Sequence, residues 1–216
     1  VMQAIRKNSD RTDGQVMYAV NISDTPDGMK SHHDSVKAAG GNCVMVNLIS
    51  VGLAGVLSLR QVSEFPIHGH RNGWGAISRC PALGFDYRAW QKLWKLAGVD
   101  QLHVNGLRNK FCESDESVIA SACAVQAPVY NQASAMPVFS SGQWVGQVED
   151  TFSRMGNGDL LFVCGGGIWA HPMGPEAGVV ALRKAWEGVM AGKQLDQLRR
   201  EHVEIETAFE KFRGKA

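Results

Sequence analysis

Hydrophobic positions along this chain follow two alternating patterns. Short apolar runs of strand length are each followed by a stretch whose apolar residues recur at helical spacing. The first run is "VMYAVNI" (16–22). In "TPDGMKSHHDSVKAAGG", Thr25 suits a helix N-cap, Pro26 the first helical residue and Gly40-Gly41 the stop. "CVMVNLIS" (43–50) is nearly all apolar, as a strand covered on both faces must be. A helix over "VGLAGVLSLRQVSE" and a third strand, "PIHGHR", come next. "FDYRAWQKLWKLAG" (85–98) sets Phe85, Trp90, Leu93, Trp94 and Ala97 along one helical side and ends at Gly98. Strand "DQLHVNG" (100–106) precedes helix "DESVIASACAVQ", and strand "AMPVFSSG" (135–142) precedes helix "VGQVEDTFSRM". The sixth strand, "LLFVCGGG" (160–167), leads to a helix over 175–192. One amphipathic helix over about 194–213 carries Leu195, Leu198, Ile205, Phe209 and Phe212.

Six β-α repeats imply a parallel sheet with helical crossovers. An open doubly wound sheet and a (β/α)8 TIM barrel both fit that order. No G-x-G-x-x-G fingerprint follows the first strand. Polar residues instead close several strands at their C-terminal ends, where a barrel builds its site. The chain opens Val1-Met2-Gln3, as if inside a helix. These features predict an α/β chain carrying barrel strands three to eight, with the first two upstream. Residues 1–193 then form a partial barrel and 194–216 a C-terminal helix packed on it.

Charge narrows the partners. Lys plus Arg is 22 and Asp plus Glu is 21, for a net +1. That balance argues against a nucleic-acid partner or an anionic membrane, but leaves room for a local anion site. No apolar run reaches the length of about 18 residues that a membrane span needs. The five cysteines are widely spaced, with no C-x-x-C, so neither a disulfide framework nor a structural zinc is expected. Cys43 and Cys164 read as buried hydrophobes, which favours a reducing, cytoplasmic location.

Candidate chemistry gathers at strand ends. His68 and His70 share one strand face, as do Gln101, His103 and Asn105, while Ile67, Leu102 and Val104 point the other way. A single buried His is usually satisfied by a neighbour; several on adjacent strands beside Arg71 point to a site. Gly165, Gly166 and Gly167 end the last strand. One glycine would suggest a tight turn with positive φ, but three in a row suggest backbone approaching a phosphate. Lys110 lies in a polar loop and by itself reads as a solvated charge. Glu113, Asp115 and Glu116 suit the first turn of the next helix. His32 and His33 are expected to be exposed, and the aromatics of 85–94 to be core.

Four motifs in order, "HGHRNGW", "GVDQLHVNGLRNKF", "PVFSSG" and "FVCGGGIWAHPMG", resemble the large-subunit barrel of ribulose-bisphosphate carboxylase/oxygenase. The resemblance covers essentially the whole chain and is closer to the non-carboxylating RuBisCO-like proteins. It implies that Arg71, His103, Ser140, Gly142, Gly165, Gly166 and Gly167 bind substrate phosphate. It also implies that His70 and Lys110 serve the reacting centre, Lys110 from a mobile loop. The chain departs from carboxylases at Trp74 and Gln101, which replace histidines, and at Ser141 and Gln143, which alter a Gly-Gly-Ile run.

Those departures argue against carboxylation of a bisphosphate. The "HGHRNGWG…HVNGLRNKF" version resembles the apionate-catabolism branch, whose members include a decarboxylase of 3-oxo-isoapionate 4-phosphate. The resemblance implies Mg²⁺ held by second-strand residues upstream of Val1, with no ligand in these 216 residues. It also implies a homodimer or higher homo-oligomer, and a need for the N-terminal part of the same protein, so this piece alone is expected to be inactive. A 2,3-diketo-5-methylthiopentyl-1-phosphate enolase is the enzymic alternative, and a non-catalytic phosphosugar-binding barrel fragment the other.

Overall fold

The architecture comes from a computed structural model. It describes the chain except Asp13, Pro81, Leu83, Phe85, 131–133 and 215–216. Its elements in chain order are α1 (Met2–Thr12), β1 (Ala19–Asn21), α2 (Pro26–Ala38), β2 (Cys43–Asn47), α3 (Leu48–Arg60), β3 (Ile67–His70), α4 (Gly75–Ser78), α5 (Tyr87–Leu96), β4 (Gln101–His103), α6 (Asp115–Gln126), β5 (Met136–Phe139), a 3₁₀ turn (Val145–Gln147), α7 (Val148–Met155), β6 (Leu161–Phe162), α8 (Gly165–Trp169), α9 (Pro175–Met190), α10 (Leu195–Glu201) and α11 (Val203–Phe212). The strands are ordered as in the chain, and every strand pair with a described register is parallel. This is an α/β fold with six parallel strands, as the alternation predicts.

The chain divides into two compact units, residues 1–102 with 127–135 and residues 103–126 with 136–216. In the first unit β2 lies between β1 and β3, and Cys43, Val44, Val46, Ile67 and Leu102 are fully buried. Burial pushes the Cys43 thiol up to about 11, so it stays protonated and inert. α2 is built as its sequence dictates: the Thr25 hydroxyl accepts from Gly28 N–H, and Pro26 occupies the first turn. α5 starts two residues later than its apolar period suggests. Asp86 caps it, accepting from the N–H groups of Arg88 and Ala89 at 2.8 and 3.4 Å. Phe85, expected in that helix, lies outside the described residues.

In the second unit β5 pairs with β6, and Val104 N–H reaches Val138 O at 3.0 Å. The core is helical: Val148, Ala181, Ala185, Val189, Leu195, Leu198, Ile205 and Phe212 pack together with Trp144. Cys164 is buried and its thiol is pushed far up by desolvation.

Several expectations are corrected. Leu93 is 52% exposed, because Trp90 and Trp94 already fill the buried face of α5. His33 is buried rather than exposed; its ring stands 5.1 Å from that of Phe65. β2 stops at Asn47, and the following helix begins at Leu48 and breaks at Gly52, whose φ is 67°. The terminal helix is two helices, divided at His202 by an extended backbone (φ −134°, ψ 110°).

Replacing Asp86 with Ala removes the α5 cap and should cost about 1 kcal/mol, lowering Tm by roughly 2–4 °C. Arg88 and the capped amides hold the Asp86 carboxyl down to about 2. Its folded value is depressed, so the cap's charge contribution is present above the ordinary 3.8 and fades as pH falls towards 2. Thermal melts of the two proteins at neutral pH and near pH 2 measure both effects.

Candidate active site

At the end of β3, in the first unit, the two histidines differ in setting. His68 is 7% exposed, and its Nδ1 lies 2.8 Å from Gln101 Oε1. The Gln101 amide Nε2 lies 3.3 Å from Met17 Sδ, which leaves Oε1 for the ring N–H. Desolvation lowers the His68 pKa, with the Gln101 bond opposing it and His70 adding to it. Burial thus disfavours a charge on His68, whose ring N–H faces the Gln101 carbonyl. His70 is half-buried, and its Nδ1 accepts from Asn72 N–H at 3.1 Å. The Arg71 guanidinium stacks over the Tyr87 ring at 4.5 Å. Trp74 joins the same aromatic group, 5.0 Å from Tyr87 and 4.9 Å from Trp90. Asn72, which lies within "HGHRNGW", and Tyr87, expected only as a core aromatic, were given no site role from sequence, yet one bonds His70 and the other stacks with Arg71.

The second unit brings His103, Lys110, Ser140 and Gly142 together. His103 Nδ1 lies 3.1 Å from Ser140 Oγ, and Ser140 Oγ lies 3.3 Å from Ser141 Oγ. Ser141 Oγ donates to Asn105 Oδ1 at 2.7 Å, and Asn105 Nδ2 donates to Glu113 Oε2 at 2.5 Å. Lys110 N–H donates to Ser141 O at 3.1 Å, so the lysine loop is tied to the turn after β5. The Lys110 side chain is exposed, with Nζ 5.5 Å from the Phe111 ring centre. Ser141 has φ 70° and Gly142 φ 93°. Glycine suits the second; at the first, a serine holds a conformation that L side chains rarely adopt.

The glycine triplet is not a turn that needs positive φ. Gly165, Gly166 and Gly167 open α8 with ordinary backbone angles. At Gly167 a Cβ would come within 2.9 Å of Gln143 O, so packing explains that glycine. At Gly165 and Gly166 a Cβ would meet nothing within 4 Å. Neither conformation nor packing accounts for those two. His171 is a structural histidine, with Nε2 2.9 Å from Glu204 O and Nδ1 accepting from Met173 N–H.

No three His, Cys, Asp or Glu side chains among the described residues cluster as a metal site. No described helix is long and apolar enough to cross a membrane.

A parallel α/β fold with polar side chains near its strand ends is shared by many protein families, and sequence comparison specifies which one this is. Residues 1–212 match the family model for the ribulose bisphosphate carboxylase large chain, catalytic domain. The chain belongs to that family. It is 53% identical over 198 residues to a 3-oxo-isoapionate-4-phosphate transcarboxylase/hydrolase of Xanthobacter autotrophicus, covering 91% of this chain and 48% of the relative. It is 44% identical over 215 residues to a 3-oxo-isoapionate-4-phosphate decarboxylase of Rhizobium etli, covering 98% and 52%. The crystal structure of a rubisco-like protein from Burkholderia fungorum superposes with a TM-score of 0.92 at 44% identity, covering 97% of this chain and 52% of that one. The chain thus spans about half the length of these relatives.

His68 should titrate below its ordinary 6.5 in a histidine-resolved NMR titration, and Gln101→Leu should lower it further by removing the bond that opposes desolvation. With the folded value depressed, the stability from neutral His68 is present above 6.5 and lost as pH falls through the folded pKa. An upward shift in the variant would contradict this account.

Proposed function

We propose that the full-length protein is a Mg²⁺-dependent lyase that decarboxylates a phosphorylated 3-keto sugar acid of the 3-oxo-isoapionate 4-phosphate type. One observation carries the reading: relatives at 53% and 44% identity, matched over nearly all of this chain, are both named for that substrate. In a β-keto acid the bond to the carboxyl group breaks readily. The bonding pair moves towards the ketone oxygen, CO₂ departs, and the resulting enediolate takes up a proton on carbon. This route needs a site that binds one phosphate and aligns the breaking bond.

Chain residues supply binding and positioning. Arg71 is assigned to phosphate, held flat by Tyr87 so that its donor fork is pre-oriented. His103, Ser140 and Gly142 are assigned to the phosphate side in the second unit, with Gly165, Gly166 and Gly167. The open space over Gly165 and Gly166 supports that role more than the packed Gly167 does. His70 and Lys110 are assigned to the reacting centre. The Mg²⁺ ligands are assigned to residues upstream of Val1, and the working protein to a cytoplasmic homodimer or higher homo-oligomer. These 216 residues alone are then inactive.

The name of the 53% relative favours a second reading, transfer of the carboxyl group followed by hydrolysis. Substrate labelled at the carboxyl carbon separates the readings. A decarboxylase releases the label as CO₂, whereas a transcarboxylase/hydrolase keeps it in an organic product. The methionine-salvage enolase and the non-catalytic fragment release none from this substrate. With the decarboxylase, Arg71→Ala should raise KM roughly 10–100-fold through loss of a charge-assisted contact, and Lys110→Ala should lower kcat by about 10²-fold or more. An unchanged KM in the arginine variant removes Arg71 from phosphate binding.

A further inference from the structure

The hydrogen bonds of the second unit form an unbroken line from Glu113 to His103, and the chemistry at one end dictates the direction of every bond in it. As a carboxylate, Glu113 can only accept. The Asn105 group that faces it at 2.5 Å is therefore the NH₂, and the Asn105 carbonyl faces the other way. Ser141 Oγ, 2.7 Å from that carbonyl, must donate its single proton there. The Ser141 hydroxyl then has only lone pairs for Ser140 Oγ at 3.3 Å, so the Ser140 proton points to Ser141. Ser140 Oγ in turn offers His103 Nδ1 a lone pair at 3.1 Å, and that nitrogen must carry a proton. Any other arrangement leaves two lone pairs or two protons facing each other; Asn105, His103 and Ser140 are buried (1%, 6% and 9% exposed), while Glu113 and Ser141 are half-buried. Ser117 Oγ, 3.0 Å from Glu113 Oε1, donates to the same carboxylate and reinforces its acceptor role.

We infer that Glu113, through Asn105, Ser141 and Ser140, fixes the neutral tautomer of His103 with the proton on Nδ1 and the lone pair on Nε2. Glu113, Asn105 and Ser141 are thus positioning residues, acting on substrate only through His103. Ser141 has a physical reason to stand at φ 70°, an angle that glycine adopts more readily: its hydroxyl is the link that carries the polarity across to Ser140. On the proposed decarboxylase reading, where His103 stands on the phosphate side, the neutral ring presents Nε2 as an acceptor. It donates to phosphate from Nε2 only after taking up a second proton.

The test is nitrogen NMR of the full-length protein labelled in histidine, at alkaline pH where the imidazole is neutral; loss of one ring's signals in His103→Asn assigns the residue. Wild type should show a protonated Nδ1 and a bare Nε2. Glu113→Gln can present an amide N–H to Asn105, which lets Asn105 turn and reverse every bond in the line, so the tautomer ratio should invert. Ser141→Gly cuts the line at a position whose φ glycine prefers, so it should keep or raise Tm while the Nε2–H form grows from minor to comparable. A wild-type ring protonated on Nε2, or tautomer ratios unmoved in both variants, overturns the inference. In labelled-substrate assays the same variants should lower kcat more than they raise KM; equal changes in melting and activity would assign them a purely structural role. Absence of CO₂ release by wild type refutes the decarboxylase reading and leaves the tautomer result standing on its own.

Discussion

A polar side chain on a strand covered on both faces must find a hydrogen-bond partner, because burying it alone costs more than the bond returns. That constraint organises both units. β2 is largely buried and nearly all apolar, and the polar groups of the two sets lie near strand ends. Those groups come in sets: His68 with Gln101 in the first unit, and His103 with Ser140, Ser141, Asn105 and Glu113 in the second. Each set contains one imidazole, and the partners decide what that imidazole can do.

The two sets lead to different chemistry. Burial lowers the His68 pKa, while the neutral Gln101 carbonyl that faces the ring opposes that shift. Gln101 adds no titratable group beside His68, so His70 is the titratable neighbour that acts on its ring. In the second set the terminal group is an acid, and its influence reaches His103 through short side chains with one available bond direction each. The lysine loop depends on the same residues, since Lys110 N–H is held by the Ser141 carbonyl while the Ser141 hydroxyl carries the polar line.

The element order was legible because each signal was local. Thr25 and Pro26 mark a helix start by their own chemistry, and a run such as "CVMVN" can be little else than a covered strand. Errors arose where a distant residue decided the outcome. Leu93 fits the apolar period of α5, yet Trp90 and Trp94 use up the space beneath it. His33 looks solvated in "SHHD" until Phe65, far along the chain, packs against it with its ring tilted. At the site, motif order pointed to His103, Ser140 and Gly142, which share one unit. Asn105 showed only as a residue on the His103 face, and Glu113 passed for an ordinary first-turn acid. Their pairing crosses a loop whose path no periodicity encodes.

Trp74 is the departure that physical reasoning explains most fully. A histidine at that position would add a second titratable group beside Arg71. The indole instead packs edge-on to Tyr87, and Tyr87 supports the Arg71 guanidinium from beneath. An arginine held on an aromatic face keeps its charge and its fork while losing rotational freedom, which favours one fixed anion over a mobile set of acceptors. With Trp74 and Gln101 both uncharged, the β3–β4 strand end keeps one permanent cation and the buried His68.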